Sequence, residues 1–512
     1  MYIMMKEKQD GYLRKKKLAK NTVSSLLFRI TTIICGFIIP RLILNSFGSE
    51  VNGLVNSIMQ FLGIIAFLEL GVGAVVQSSL YKPLSDNDND GISSIVVSGQ
   101  KFFSKIASIL LVYVVLLIFF YNIIVKQSFG FIFTGTLILV ISISSFAQYY
   151  FGIISSLLLT ADQRGYVSYN IQTLTLVLNT LFCYILIRLG ASIHIVKLVT
   201  SIIYAIRPAF LAIYIKKNYK INWKIKYYEE PIKQKWNGVS QHIASVVLDS
   251  TDSIVLTIFD GLKAVSVYSI YNIIVSGIKQ LMLAMTSGIQ SVVGELWAKQ
   301  ELDELKKFFG WIEWIIHTGT IFIFSITAIV ILPFIKLYTS GVRDINYIQP
   351  IFAVLIIMAN AGHCLRLPYN IMILAGGHYK QTQKCYITAA IVNILISTVT
   401  VKICGLIGVA VGTLVAMLYQ TIWMAIYDSK NLICWPIKYF IKQVAVDVII
   451  IVCSVVFTSF VKIEINIWFE WVVYAIIISA MEVLIVIAIN TIFYNTYIKY
   501  LMNKIMKLFI KR

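Results

Sequence analysis

Apolar runs alternate with short polar breaks along nearly the whole chain of 512 residues. Fourteen of these runs are long enough to cross a bilayer: 22–44, 51–79, 103–125, 131–159, 166–189, 191–215, 239–260, 264–297, 308–336, 348–375, 381–403, 405–427, 440–461 and 468–493. A hydrocarbon core of ~30 Å needs about 20 apolar residues in a helix rising ~1.5 Å per residue. The longest interruptions are 216–238 and the two tails, which leave no room for a soluble domain. The pattern predicts an all-α polytopic membrane protein of about fourteen transmembrane helices. No small-residue cleavage site follows the first run, which therefore reads as a retained span rather than a signal peptide.

The chain also resembles itself at an offset of about 213 residues. The segment from Asn45 lies over the segment from Ile258, so that Gly48 falls on Gly261 and Gln77 on Gln290. Further along, Asn179 falls on Asn393 and Arg188 on Lys402. Six spans per repeat give both halves the same orientation, as in transporters built from parallel lobes. The predicted organisation is a six-helix lobe over 1–215 and a cytoplasmic linker over 216–238. A second six-helix lobe covers 239–427, and two extra helices with a basic tail cover 428–512.

Composition agrees with the pattern: 58% of residues are hydrophobic and 13% charged, with a mean hydropathy of +0.81. The formal charge of +20 gains its meaning from position. With an even number of spans, 31 of the Lys and Arg residues fall on the side of the termini and 8 on the other, with 5 inside spans. The positive-inside rule then places both termini of this multi-pass membrane protein in the cytoplasm. The basic excess is accounted for by topology and by attraction to anionic lipid headgroups, without nucleic acid. Seven cysteines lie in or beside spans with no CxxC pair and read as small packing residues.

Polar residues inside the spans fall into stripes. His242, Ser245, Asp249 and Asp252 step by 3, 4 and 3 along span 7, which is one helical face. In span 8, Ser269, Asn272, Ser276, Lys279, Thr286 and Gln290 do the same. Arg29 and Thr32 share a face of span 1, Glu69 lies in span 2, and span 10 carries Asn360, His363, Arg366 and Asn370. A charge at the bilayer centre costs at least ~2.5–3.5 kcal/mol, so such groups face a partner, a bundle interior or water. The stripes predict a hydrated, mostly cationic cavity. Two plainer readings stand beside it. Arg29, Arg41 and Arg207 can snorkel to a membrane face, and Asp249 with Lys279 can form a structural ion pair. The run Asp86 to Gly91 matches part of a calcium loop but lacks the downstream Glu, so it reads as a polar turn. Enzyme signatures (GxSxG, HExxH, Walker A) are absent. With its parallel-lobe repeat the chain reads as a transporter with no cofactor, and without a Walker A loop active transport would draw on an ion gradient, of protons or sodium, or on the product gradient.

The segment IPRLILNSFGSEVNGLVNSIMQFLGIIAFLELGVGAVVQSSLYKPLSDND, from Ile39, resembles Wzx-type polysaccharide and O-antigen flippases. These belong to a superfamily that also holds MATE exporters and lipid II flippases of the MurJ type. TDSIVLTIFDGLKAVSVYSIYN, from Thr251, is similar as well. The resemblance implies translocation of undecaprenyl-diphosphate-linked oligosaccharide repeat units from the cytoplasmic to the outer leaflet by alternating access. The repeat units would feed capsule, O-antigen or exopolysaccharide synthesis in a bacterial membrane. Partners would be that lipid-linked glycan, membrane lipids, a polysaccharide polymerase and glycosyltransferases. In such a protein Arg29, Lys279 and Arg366 would hold the anionic headgroup, and Glu69, Asp249 and Asp252 would bind the coupling ion or gate. His242, Ser245, Asn272, Ser276 and Gln290 would line the path. A MATE-like cation or drug antiporter and a lipid II flippase remain the alternatives.

Overall fold

The computed structural model describes residues 2–69, 71–125, 129–226, 239–286, 289–461 and 463–510. In chain order the helices are α1 (Tyr2–Gly63), α2 (Val72–Asp86), α3 (Asn89–Ile124), α4 (Phe131–Ala147), α5 (Ile153–Ala161), α6 (Gly165–Arg188), α7 (Ile193–Asn218), α8 (Val239–Phe259) and α9 (Leu262–Thr286). There follow α10 (Ile289–Ala298), α11 (Leu302–Tyr338), α12 (Pro350–Leu365), α13 (Leu367–Ala375), α14 (Tyr379–Cys404), α15 (Leu406–Asn431), α16 (Ile437–Thr458), α17 (Trp468–Phe493) and α18 (Asn495–Ile510). No strand occurs among the described residues.

Among those residues, twelve helices are long and apolar enough to cross a membrane, and a bent pair within α8 makes a thirteenth. The first of the twelve runs 51 residues, from Ala19 to Glu69. At ~1.5 Å per residue that is more than twice a hydrocarbon core. It holds the first predicted stretch and much of the second, which accounts for the difference from fourteen. The division between them falls at Gly48, whose φ of 83° and ψ of 174° interrupt the helix. Only glycine takes that conformation without strain. Its repeat mate Gly261, at φ 98°, separates α8 from α9.

Several predicted single spans are broken. A short 3-10 turn, Ile64–Glu69, interrupts stretch 51–79. A π-helical turn, Gln148–Gly152, interrupts 131–159, and Arg366 separates α12 from α13 within 348–375. Hydropathy is blind to such breaks, because the residues on either side are equally apolar.

The chain divides into two compact units, Met1–Val246 with Gly261–Ser266, and Val247–Asp260 with Val267–Arg512. The division passes through α8 and α9. In the first unit Val76, Leu80, Val96, Ile154 and Leu158 form one core cluster, from α2, α3 and α5. In the second, Ile321, Val446, Ile450, Val486 and Ile489 join α11 to α16 and α17. Helices in lipid gain little from hydrophobicity against each other and instead pack through small residues. A Cβ on Gly408 of α15 would lie 2.4 Å from the Thr400 carbonyl of α14, and one on Gly412 would lie 2.1 Å from Ser397 Oγ. Large apolar side chains such as Ile132, Leu189, Ile403 and Ile492 are left more than 70% exposed, as lipid-facing positions require.

The polar turns differ in kind. Asp88 caps α3, its Oδ1 accepting from the amides of Asp90 (3.1 Å) and Gly91 (2.9 Å). Asp162, in the turn between α5 and α6, is a hub. It meets Lys17 Nζ at 3.1 Å and Arg164 Nε at 2.8 Å, and accepts the Tyr219 hydroxyl at 2.5 Å. Burial and the Asp162 carboxylate together push the Tyr219 hydroxyl well above its ordinary pKa.

Candidate functional site

The second unit holds a cavity of about 220 Å³ between α8, α9, α12 and α15. Asp252, Asn272, Ser276 and Lys279 all line it, as the helical spacing of the stripes predicts. Asn360 and His363 face them from α12, and Thr413 from α15.

At one end Asp252, 4% exposed, has a polar cage. Thr413 Oγ1 lies 2.8 and 2.7 Å from its two carboxylate oxygens, and the Tyr268 hydroxyl donates to Oδ2 at 3.1 Å. Asn393 of α14 donates to Thr413 at 2.9 Å. A single Thr hydrogen serves only one carboxylate oxygen at a time. Ser276 donates to Asn272 Oδ1 at 3.0 Å. At the other end Arg366 Nη2 donates to His363 Nδ1 at 3.0 Å. A guanidinium has no lone pair to offer, so Nδ1 must be the acceptor and the imidazole is neutral. Lys279 and Arg366 both act electrostatically on His363.

The first unit holds a larger cavity of about 630 Å³. Glu69 and Arg207 both line it, together with Gln148, Tyr149, Gln172 and Tyr204. Glu69, at the end of the 3-10 turn, accepts the Tyr149 hydroxyl at 2.7 Å. Tyr149 sits in the π-helical turn, a local widening that recurs at functional sites. Gly152 closes that turn. A Cβ there would meet Gln148 Oε1 at 2.7 Å and Pro208 Cβ at 3.1 Å. Arg207 is the fifteenth residue of the 26-residue α7, roughly 16 Å from its C-terminal end. That depth argues against a snorkelling role. Its Nε is buried without a hydrogen-bond partner.

The other predicted site residues are placed as follows. Arg29 is half-buried, while Phe28 and Thr32 beside it line the first-unit cavity. Arg366 is 6% exposed and stands behind His363 rather than at the wall. His242 Nε2 lies 2.9 Å from the Ala66 carbonyl. Gln290 is exposed. The side chains of Ser245 and Asp249 lie outside the described residues. The stripes did not bring out Arg207, Thr413 or Asn393. Arg207 had a signal, since a mid-helix cation precedes an intrahelical proline. Thr413 and Asn393 had only the repeat, in which Asn393 pairs with Asn179.

That pairing has a local counterpart. Asn179 donates to the Tyr204 hydroxyl of the next helix at 3.1 Å, as Asn393 does to Thr413. Arg188 lies over the Tyr184 ring at 5.4 Å, and Lys402 over the Phe259 ring at 5.2 Å.

No protein-family model matches the chain, and no curated protein sequence matches it. Solved structures do. The lipid II flippase MurJ in an inward closed conformation has a TM-score of 0.69 at 16% identity, covering 93% of this chain and 99% of that one. An inward-facing multidrug resistance MATE family transporter of the MOP superfamily has a TM-score of 0.57 at 15% identity, covering 78% and 94%. The eukaryotic MATE transporter AtDTX14 has a TM-score of 0.55 at 13% identity, covering 85% and 100%. At such identities the likeness is one of fold, and the fold is that of an all-α polytopic membrane protein.

Proposed function

We propose that this protein is a transporter of the flippase kind, moving undecaprenyl-diphosphate-linked oligosaccharide repeat units from the cytoplasmic to the outer leaflet of a bacterial plasma membrane. The carrying observation is the extent of the fold likeness. The MurJ structure matches 93% of this chain, and the two MATE structures 78% and 85%. A lipid-flippase fold thus accounts for more of the chain than a drug-exporter fold does.

The chemistry of the cavities suits that cargo. Lys279 in the second unit and Arg207 in the first put cations inside apolar spans, where a diphosphate or acidic sugar gains most from them. The carrier's long apolar tail can remain in lipid while the headgroup crosses by alternating access. On this reading Arg366 orients His363, and Asp252 with its hydroxyl cage binds a coupling proton or sodium ion. Glu69 is the corresponding acid of the first unit. Both termini lie in the cytoplasm, where glycosyltransferases build the cargo, and the polymerase acts on the other face.

Deletion of the gene tests the reading. Undecaprenyl-linked repeat units should accumulate on the cytoplasmic face, and surface polymer should be lost. Normal surface polysaccharide in a clean deletion strain would overturn it. A second reading, lipid II translocation, follows from the activity in the MurJ structure's name. Rescue of a strain depleted of its own lipid II flippase would favour it. Gradient-driven efflux of a cationic dye from vesicles, abolished by Asp252→Asn, would favour drug antiport instead.

A further inference from the structure

Four ionisable side chains outside both cavities converge in the second unit. Glu313 and His317 come from α11, Asp428 from the end of α15 and Asp447 from α16. All are buried, at 3%, 0%, 1% and 3% exposure. Glu313 accepts the Tyr369 hydroxyl at 2.6 Å and the Trp435 indole N–H at 2.8 Å. His317 Nδ1 lies 2.6 Å from Asp447 Oδ2, and Gln443 donates to Asp447 Oδ1 at 3.1 Å. The Tyr369 hydroxyl is 3.5 Å from His317 Nε2. A chain of polar contacts therefore runs from Trp435 through Glu313, Tyr369 and His317 to Asp447.

Asp428 adds an independent observation. Neither of its carboxylate oxygens has a hydrogen-bond partner, and it interacts electrostatically with Glu313 and Tyr369. The group contains three carboxyls and one imidazole. Lys442 is the basic side chain on the wall of the adjoining cavity. Its Nζ donates to the Phe493 carbonyl at 3.0 Å and sits 4.3 Å above the Tyr494 ring. Tyr439, Tyr494 and Tyr497 lie on the same wall, and Tyr427 is an electrostatic neighbour of Asp428. Three like charges in so dry a place cannot all persist, because desolvation and mutual repulsion both favour a proton on at least one. The 2.6 Å contact of His317 with Asp447 itself requires a proton between nitrogen and oxygen, whichever atom carries it. A cavity of about 520 Å³, lined by Glu313, Trp435 and Gln443, provides access for water.

We propose that Glu313, His317, Asp428 and Asp447 form a proton-binding site within the second unit, reached through the cavity beside Trp435. It is separate from the Asp252 cage and does not depend on the identity of the cargo. Loss of its proton sets like charges on α11, α15 and α16 against one another.

Infrared difference spectroscopy of the full chain in lipid nanodiscs, between mildly acidic and mildly alkaline buffer, tests the site. The acidic state should show the C=O band of a protonated carboxyl, and alkali should remove it. Asp428→Asn should remove part of the band, and Glu313→Gln should shift or weaken it. Asp86→Asn, at an exposed turn, should leave it unchanged. If Asp428→Asn fails to insert, Asp447→Asn reads the same band. Three outcomes overturn the proposal: no band in the wild-type protein, a band equal in all variants, or a band that sodium or magnesium removes at constant pH. The last would make this a metal-ion site.

Discussion

Asn393 donates to Thr413, and Thr413 in turn reaches both oxygens of Asp252. Three helices, α14, α15 and α8, are tied together by this relay. The Asn amide donates to the Thr oxygen, which leaves the Thr hydrogen for the carboxylate proposed to bind the coupling ion. Thr413→Val keeps the shape and removes the hydroxyl. A hydrogen bond donated to a carboxylate stabilises its charged form by roughly 1.5–3 kcal/mol, so without it Asp252 should bind a proton about ten- to hundred-fold more tightly. Uptake of labelled repeat units into inverted vesicles, measured against ion concentration, checks this. An unchanged ion dependence would remove Thr413 from the site.

Lys279 offers a direct test of the anionic cargo. Lys279→Ala should lower export at least ten-fold with insertion unchanged, and Lys279→Arg should restore most of it. Failure of Lys279→Ala to insert would assign the residue to packing instead. Surface polymer quantified beside membrane protein level separates the two.

Arg207 is expected to behave differently. Its Nε is already buried without a partner, so truncation to Ala removes an uncompensated group. Thermal stability in detergent should hold or rise by up to ~2 kcal/mol, while export falls. A matching loss of stability would show that the guanidinium supports the fold. Arg207→Lys should restore little, because a point charge cannot reproduce the planar fork.

Much of this architecture was legible in the sequence, for identifiable reasons. Asn272, Ser276 and Lys279 step by four and three along one helix, and helical geometry alone puts them on one wall. Gly48 and Gly261 were matched by the repeat, and both prove to carry positive φ. The 3-10 and π turns around Glu69 and Tyr149 left no trace in hydropathy. Glu313, His317, Asp428 and Asp447 lie on three helices, separated by up to 134 residues along the chain. No periodicity links such positions, and only tertiary packing brings them together.

The Asp162 hub yields a prediction about assembly. Asp162→Asn keeps the shape but removes the charge shared by Lys17, Arg164 and Tyr219. The side chains of Lys17 and Arg164 are about a third exposed (34% and 31%), so solvent screening discounts their share. The Tyr219 bond should dominate, at about 1–2 kcal/mol. Because the Tyr219 pKa is raised, its contribution is complete below the ordinary tyrosine value of ~10 and is lost only as pH rises beyond it. Thermal unfolding at neutral and mildly alkaline pH should therefore give the same difference between wild type and variant. A difference that already shrinks in mild alkali would contradict the assignment to Tyr219.

The close approach of α14 and α15 gives a sharp test of packing. A Cβ on Gly408 would lie 2.4 Å from both the carbon and the oxygen of the Thr400 carbonyl. Backbone cannot rotate away as a side-chain tip can, so α14 and α15 must separate. Overpacking typically costs ~1–3 kcal/mol, and a backbone clash belongs at or above the upper end. The separation would also pull Thr413 from Asp252, since the same two helices carry Asn393 and Thr413. Gly408→Ala should thus lower the thermal midpoint and shift the ion dependence of uptake in the same direction as Thr413→Val. Gly36→Ala serves as the control, because nothing lies within 4 Å of its added Cβ and Ala favours helix. Equal midpoints for the two variants in a thermal scan would refute the close approach of α14 and α15.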